Sequence, residues 1–366
     1  MEKTTKDFFN AVPDPRVVNR CRHKLSDILF IALCTLICNG EDFEDMVEFA
    51  HQRYDWLNSF LELPGGIPTH DTFNRVLRRI DPKALGQALA EDGQVLLDTL
   101  NEKQINVDGK KIKGVSPTSK GNDGLYILSA WVSENSLCVG QTKVKDKSNE
   151  ITAIPALLDS IDITGAIVSI DAIGCQKTIA EQIANKHAEY LLSLKKNQKQ
   201  TFEEVEDSFR FAQQKTYHEE WEYDHGRYET RQCSIIKLTN DEQKAMFSEW
   251  KDLQFLIRIQ ASRQTSKATS QETRYYLSNA QQGSAAYFNK LVRGHWSIEN
   301  QLHWHLDVTF QEDASRARLE NAPENLNILR KIALQRITQM KDKLSIKKRR
   351  YRASLNIDYL KEVLNF

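Results

Sequence analysis

The sequence predicts a mixed α/β protein led by an all-helical segment, and three observations carry that prediction. Apolar residues recur at helical spacing from residue 1 to about 100. Between about 104 and 195 the pattern changes to short alternating or apolar runs in the order β-β-β-α-β-α-β, followed later by helix. From about 200 to 285, strand-like stretches such as Gln232–Leu238, Gln254–Gln260 and Arg274–Leu277 stand among polar residues, which reads as a β-rich insertion.

The elements follow in order. Leu25 to Cys38 is an apolar helix ending at Asn39-Gly40, a residue pair suited to a helix C-terminus. Asp42 to Leu63 repeats Phe43, Met46, Phe49, Trp56 and Phe60 at helical intervals. Pro64-Gly65-Gly66-Ile67-Pro68 is a loop, and Thr69 can cap a helix bearing Arg75, Arg78 and Arg79. An arginine-bearing helix after a turn is a candidate for reading DNA, or an ordinary bundle helix. Ile105–Val107 is an apolar strand ending at Asp108, and Leu125–Val132 and Leu137–Val144 alternate as a hairpin pair. Glu150–Leu158 is a helix, Gly165–Ile170 a buried strand ending at Asp171, Gln176–Ala184 a helix, and Tyr190–Leu194 a strand. Hairpins followed by βαβ crossovers imply a mixed sheet with helices on its faces. The expected division is residues 1–100 helical, 101–335 the α/β domain with the insertion at about 200–285, and 336–366 a basic tail.

Composition excludes several classes. Hydrophobic residues make up 40% and charged residues 27% of the 366-residue chain, as in a globular protein. No apolar run reaches membrane-spanning length and the N-terminus lacks a signal-peptide layout, so a cytoplasmic protein is expected. The six cysteines form no CxxC pair, against zinc ribbons and disulfide frameworks, and no Walker sequence indicates a nucleotide cofactor. Net charge is zero but uneven: residues 1–100 carry 11 basic against 16 acidic side chains, residues 316–366 carry 13 against 5. Lys347, Lys348, Arg349, Arg350 and Arg352 form a run able to neutralise phosphates, or a solvated helix end.

Two carboxylates, Asp108 and Asp171, end apolar strands, where ligand crevices of open sheets form. If those strands are neighbours, the carboxylates converge and repel unless a cation separates them. Hard oxygen donors suit Mg²⁺ or Mn²⁺. A third acid, Glu299, lies in Gly294-His295-Trp296-Ser297-Ile298-Glu299-Asn300-Gln301-Leu302-His303. On an α-helix, His295, Glu299 and His303 share one face. The alternative for each aspartate is a simple turn or helix cap.

Four strings together, Ile105–Gly114, Lys147-Ser148-Asn149-Glu150-Ile151, Ile170–Lys177 and Gly294–Asn300, resemble bacterial insertion-sequence transposases, in the H-repeat-associated branch. Asp14-Pro15-Arg16, His23-Lys24-Leu25 and Gly66–Phe73 resemble that family's associated helical domain, so the likeness runs from about residue 8 to 335. The resemblance implies a ribonuclease-H-like core and a catalytic, metal-binding triad of Asp108, Asp171 and Glu299, separated by 63 and 128 residues. It also implies DNA element ends and target DNA as partners, action as a homodimer or larger assembly, and a nucleoid-associated place in a bacterial cytoplasm. One departure stands out. Related transposases carry Tyr, Arg and Lys around the glutamate, and here Val292, His295 and Leu306 occupy those places. Arg293, His303 or His305 are the candidates to hold phosphate instead.

Supporting DNA contacts are expected from Lys110, Lys111 and Lys113 after the first aspartate, and from Lys195, Lys196 and Lys199 beyond a core strand. Arg227 and Arg231, with Glu229 between them, would share a strand face in the insertion, touching DNA or forming an ion-pair ladder. Trp296 and Trp304 flank Glu299, to stack on a base or to pack in the core. Asp307, Glu312 and Asp313 are further acids downstream. Two other functions compete with metal-dependent DNA strand cleavage and transfer. One is a catalytically inactive DNA-binding relic; the other is a zinc metallohydrolase using His295, Glu299 and His303.

Overall fold

A computed structural model describes residues 5–97, 99–115, 124–144, 149–224, 227–265 and 268–365. Its centre is one nine-stranded sheet. The strands are β1 Gln104–Ile112, β2 Leu125–Val132, β3 Leu137–Val144, β4 Ile167–Ile170, β5 Glu189–Leu194, β6 Lys215–Asp224, β7 Arg227–Lys237, β8 Phe255–Thr265 and β9 Thr269–Ser278. Their spatial order is β3-β2-β1-β4-β5-β9-β8-β7-β6. The first three pair antiparallel, while β1, β4 and β5 run parallel. The mixed α/β class expected from periodicity is therefore observed.

Two strand expectations change. β1 does not stop at Asp108 but continues to Ile112, because β2 pairs with it along its whole length and supplies the backbone partners that the polar sequence Asp108-Gly109-Lys110 hides. The strands after residue 200, expected as a β-rich insertion, continue the same sheet. β9 pairs antiparallel with β5 and extends the sheet into a four-stranded meander. β6, in which Tyr217, Trp221 and Tyr223 stand among charged residues, was not expected as a strand.

Helices cover both faces. Helices Glu150–Asp159, Lys177–Asn185 and Lys199–Phe211 pack on the side that bears Ile105, Val107, Val168 and Leu192. On the other side, helix Ala285–His295 buries Phe288, Leu291 and Val292 against Phe255, Ile257 and Ile259. Alternation along a strand sends Gln104, Asn106, Asp108 and Lys110 to that second side.

The N-terminal helices form as their sequence dictates. Helix Leu25–Ile37 is apolar on every face and almost wholly buried, and Asn39 ends the turn at φ 74°. Asp42 and Asp45 cap helix Phe43–Gln52 reciprocally. These helices share one core with helix Ala322–Thr338 and with the two C-terminal helices, Ile346–Leu355 and Ile357–Leu364. The basic run is accordingly split. Lys347, Lys348 and Arg352 are exposed, but Arg349 and Arg350 are buried. Arg350 donates to Leu36 O at 2.9 and 3.0 Å and to Thr309 O, and lies 4.2 Å over the Phe310 ring. In the arginine-bearing helix His70–Arg79, Arg78 pairs with Glu320 at 2.8 Å. Among the described residues no helix is long and apolar enough to cross a membrane.

Candidate active site

The two aspartates meet because β1 and β4 are parallel neighbours in register, Val107 opposite Ile170. β4 ends at Ile170 while β1 runs on, so Asp108 and Asp171 flank the point where the sheet opens. Asp171 Oδ1 accepts from the backbone N–H of Ile173 and Gly174, at 3.0 and 3.4 Å, which fixes the carboxylate in the turn after β4. Both aspartates and Glu299 line one cleft of about 660 Å³. Burial, opposed by the Gly109 N–H and reinforced by Asp171, Glu299 and Glu150, pushes the Asp108 carboxyl up to about 7. The acids are thus near enough for Asp171 and Glu299 to disfavour the charged form of Asp108.

The glutamate is delivered by an unusual helix. Helix Ala285–His295 ends and the chain continues with i→i−5 winding over Ile298–His303 and His305–Thr309. The face expected of His295, Glu299 and His303 is therefore not an α-helical one. A polar seam pins the helix end to the sheet. Gln104 Nε2 donates to Leu291 O (2.8 Å) and Ser169 Oγ (3.1 Å), and Asn106 Nδ2 donates to Gly294 O (3.0 Å) and Ser297 Oγ (3.1 Å). A Cβ on Gly294 would stand 2.3 Å from Gln104 Oε1, so any larger residue would have to displace the Gln104 amide. His295 joins the seam through Ser169 (Nδ1 to Oγ, 2.9 Å), and burial holds it down to about 4. His303 turns to the first aspartate, Nδ1 3.8 Å from Asp108 Oδ2. Glu299 itself is exposed at the cleft.

Several expected DNA contacts have other employment. Lys110 is buried, bridging Glu312 at 2.8 Å and Asp307 at 2.6 Å; it ties β1 to the segment after Glu299. Arg293 pairs with Glu219 at 2.6 Å. Trp296 lies beneath the Arg274 guanidinium, 4.9 Å from ring centre, whereas Trp304 is 51% exposed on the cleft. Lys111, Lys113 and Lys195 line the cleft with exposed side chains, and Lys113 reaches Asp313 at 3.5 Å. Lys196 and Lys199 are exposed but do not line it. Arg231 lies on β7 beside a smaller pocket. Lys147, Ser148, His225 and Gly226, and the Arg227 side chain, fall outside the described residues.

Sequence reasoning missed Arg274 and Glu150. Arg274 enters the cleft only because β9 joins the sheet beside β5, which no local pattern announces. Glu150 is buried, accepts from the Tyr126 hydroxyl, and its Oε1 lies within 2.5 Å of where a Gly109 Cβ would stand. Its one signal was its place in the Lys147–Ile151 string.

The donor set suits a hard divalent cation: carboxylate oxygens, one with its proton affinity raised by burial and further by neighbouring like charges. As they stand, no three His, Cys, Asp or Glu side chains among the described residues gather as a metal-binding group. The zinc set of His295, Glu299 and His303 is therefore not assembled, since His295 is engaged by Ser169. Neither do the three acids yet enclose an ion. A larger cleft of about 1840 Å³, beside helix Ala285–His295, is lined by none of the three acids.

Comparison with known proteins agrees with the motifs. The family described as Transposase DDE domain matches residues 100–336, and the DDE_Tnp_1-associated family matches residues 6–91. YncI of Escherichia coli O157:H7, whose transposase name is provisional, is 37% identical over 98% of this chain and 93% of its own length. YhhI of Escherichia coli strain K12, an H repeat-associated protein also provisionally named a transposase, is 33% identical over 99% of this chain and 98% of its own. A piggyBac transposase in complex with hairpin DNA superposes with a TM-score of 0.45 at 9% identity, covering 99% of this chain and 81% of that one.

Proposed function

The chain belongs to the DDE transposase family, and from that premise we propose that it cleaves DNA at the ends of an insertion element and joins the freed ends to target DNA. The observation that carries the reading is the cleft itself: Asp108 on β1 and Asp171 just past the end of its parallel neighbour β4, with Glu299 lining the same cleft and Asp108 pushed up to about 7. A ribonuclease-H-like core is part of the proposal. Its support is the strand order β3-β2-β1-β4-β5, with the first two acids on the central pair.

Asp108 and Asp171 would hold one divalent ion between them, and Glu299 would close on a second. Mg²⁺ or Mn²⁺, when bound, supplies charge neutralisation at the phosphodiester. The chain's own groups do the rest. The Ile173 and Gly174 amides orient Asp171, and the seam through Gln104, Asn106 and Ser169 sets where the glutamate-bearing helix leaves the sheet. Lys111, Lys113 and Lys195 place cations on the rim for the DNA backbone, and Arg274 adds a planar fork. In cleavage a water oxygen bonds to phosphorus and the bond to the 3′ oxygen breaks, leaving a 3′-OH. In transfer that 3′ oxygen attacks a target phosphorus and displaces the target's own 3′ oxygen. Paired ends imply that two or more copies act together.

The test is cleavage of a duplex carrying the element's own end, with Mg²⁺, by wild type and Asp171→Ala. The expected loss in the variant is about a hundredfold or more. Equal cleavage by both removes the mechanism. Salt-dependent DNA binding by wild type with no cleavage under any divalent metal identifies the non-catalytic reading instead.

A further inference from the structure

The meander β6–β9 carries a second polar cluster on the face that packs against helix Ala285–His295. Cross-strand register lines up Glu219, Arg231, Ala261 and Glu272 in one row. Four arginines and three carboxylates meet around it. Arg293 takes Glu219 Oε1 at 2.6 Å, while Asn289 takes Glu219 Oε2 at 2.6 Å. Arg263 takes Glu229 at 2.7 Å, and Arg274 takes both oxygens of Glu272 at 2.7 Å. Arg231 is the cation left over. Its Nη1 is buried, and no described residue accepts a hydrogen bond from it. Burial and the like charges of Arg293 and Arg274, only partly offset by Glu219 and Tyr276, lower its proton affinity, as for a guanidinium whose surroundings do not fully compensate its charge.

Beside Arg231 lies a pocket of about 230 Å³. Glu272, Arg274 and Tyr276 belong to its wall and to the wall of the catalytic cleft, so the two adjoin across these side chains. We propose that this pocket is a phosphate site, in which Arg231, backed by Arg274, takes a backbone phosphate of the DNA strand that runs on into the cleft. The assignment rests on the DNA reading above and deepens it. It places one contact on the meander, away from the three acids. A planar guanidinium with a free edge suits a phosphate oxygen pair, and neighbouring Glu272 can release Arg274 to share the anion. The exposed Lys195, on the cleft rim, continues the positive track.

The experiment compares wild type, Arg231→Gln and Arg231→Lys in the full chain. Anisotropy of a labelled duplex is measured over a salt series, and melting is followed with and without inorganic phosphate. For Arg231→Gln the expected results are roughly tenfold weaker duplex binding and a salt slope smaller by about 0.9, the contribution of one phosphate. Arg231→Lys keeps the wild-type slope. Inorganic phosphate raises the melting point of wild type and not of Arg231→Gln. Without any anion, Arg231→Gln melts at or above wild type, because a half-buried charge with an unsatisfied Nη1 has gone. An unchanged slope in Arg231→Gln, with wild type binding normally, overturns the pocket and leaves the DNA reading standing. Absence of salt-dependent binding by wild type overturns both. A phosphate effect on melting with an unchanged duplex slope makes this a free-anion site and overturns the strand assignment. A lower ligand-free melting point in Arg231→Gln shows a structural partner for Arg231 and likewise overturns it.

Discussion

Replacing Gly294 by alanine tests how the glutamate is positioned. Glycine inside a helix ordinarily costs about 1 kcal/mol relative to alanine, so the intrinsic expectation is stabilisation. The structure opposes it. The new Cβ would stand 2.3 Å from Gln104 Oε1 and 3.1 Å from its Cδ. The Gln104 side chain is buried, with its amide held by Leu291 O at 2.8 Å and Ser169 Oγ at 3.1 Å. Expelling that amide sacrifices two buried hydrogen bonds, about 1 to 1.5 kcal/mol each. The steric loss exceeds the helical gain, leaving a net destabilisation of about 1–2 kcal/mol and a fall in melting point of about 2–4 °C. Activity should fall further, by about a hundredfold, because Glu299 lies in the next turn and a displacement of about 1 Å at a reacting group costs that much. The assay is calorimetric melting with end-cleavage rates for Gly294→Ala, Gln104→Ser and the double variant. The double variant should recover stability, with a coupling of about 1 kcal/mol. A Gly294→Ala protein that melts at or above wild type, whatever residue stands at 104, refutes the reasoning.

Two further outcomes follow from buried charge. In metal-free protein, Asp108 ionises at about 7 when folded against 3.8 when free. Below about pH 4 both states hold the proton and nothing is lost; from about 4 to 7 the unfolded chain ionises first, so stability falls; above that the cost stays constant, at an upper limit of about 4 kcal/mol. Asp108→Asn should therefore melt above wild type at about pH 8 with a chelator present and equal it at about pH 4; equal melting at both values counts against the burial of that carboxyl. Arg350→Met should cost about 3–5 kcal/mol in denaturant unfolding, since it strands the Leu36 and Thr309 carbonyls. Lys347→Met and Lys348→Met, exposed in the same run, should stay within about 0.5 kcal/mol, and a comparable loss in all three would show that the run acts as a unit.

Much of the architecture was legible because its causes are local. Alternation in Leu125–Val132 and Leu137–Val144 depends on a period of two, and the apolar run before Asp171 needs no partner to be recognised as buried. The end of β1 was misplaced because Asp108-Gly109-Lys110 looks like a turn. β2 alone makes it strand, and β2 lies downstream of residue 115. The i→i−5 winding after His295 had no signature either. It begins just past the seam that holds Gly294 against Gln104, residues 190 positions apart in sequence.

The sequence by itself picked out the three candidate acids, the class of the sheet and the helical character of both chain ends, because residue type and short-range period carry that information. Tertiary structure alone decided which charges are available. Lys110, Arg293, Arg349 and Arg350 look in the sequence like Lys195 and Arg231. Only the folded chain brings remote carboxylates and carbonyls to the first group and leaves the second facing a cleft or pocket. The physical reason is that the environment of a charge is set by partners distant along the chain, and no pattern within one segment records them.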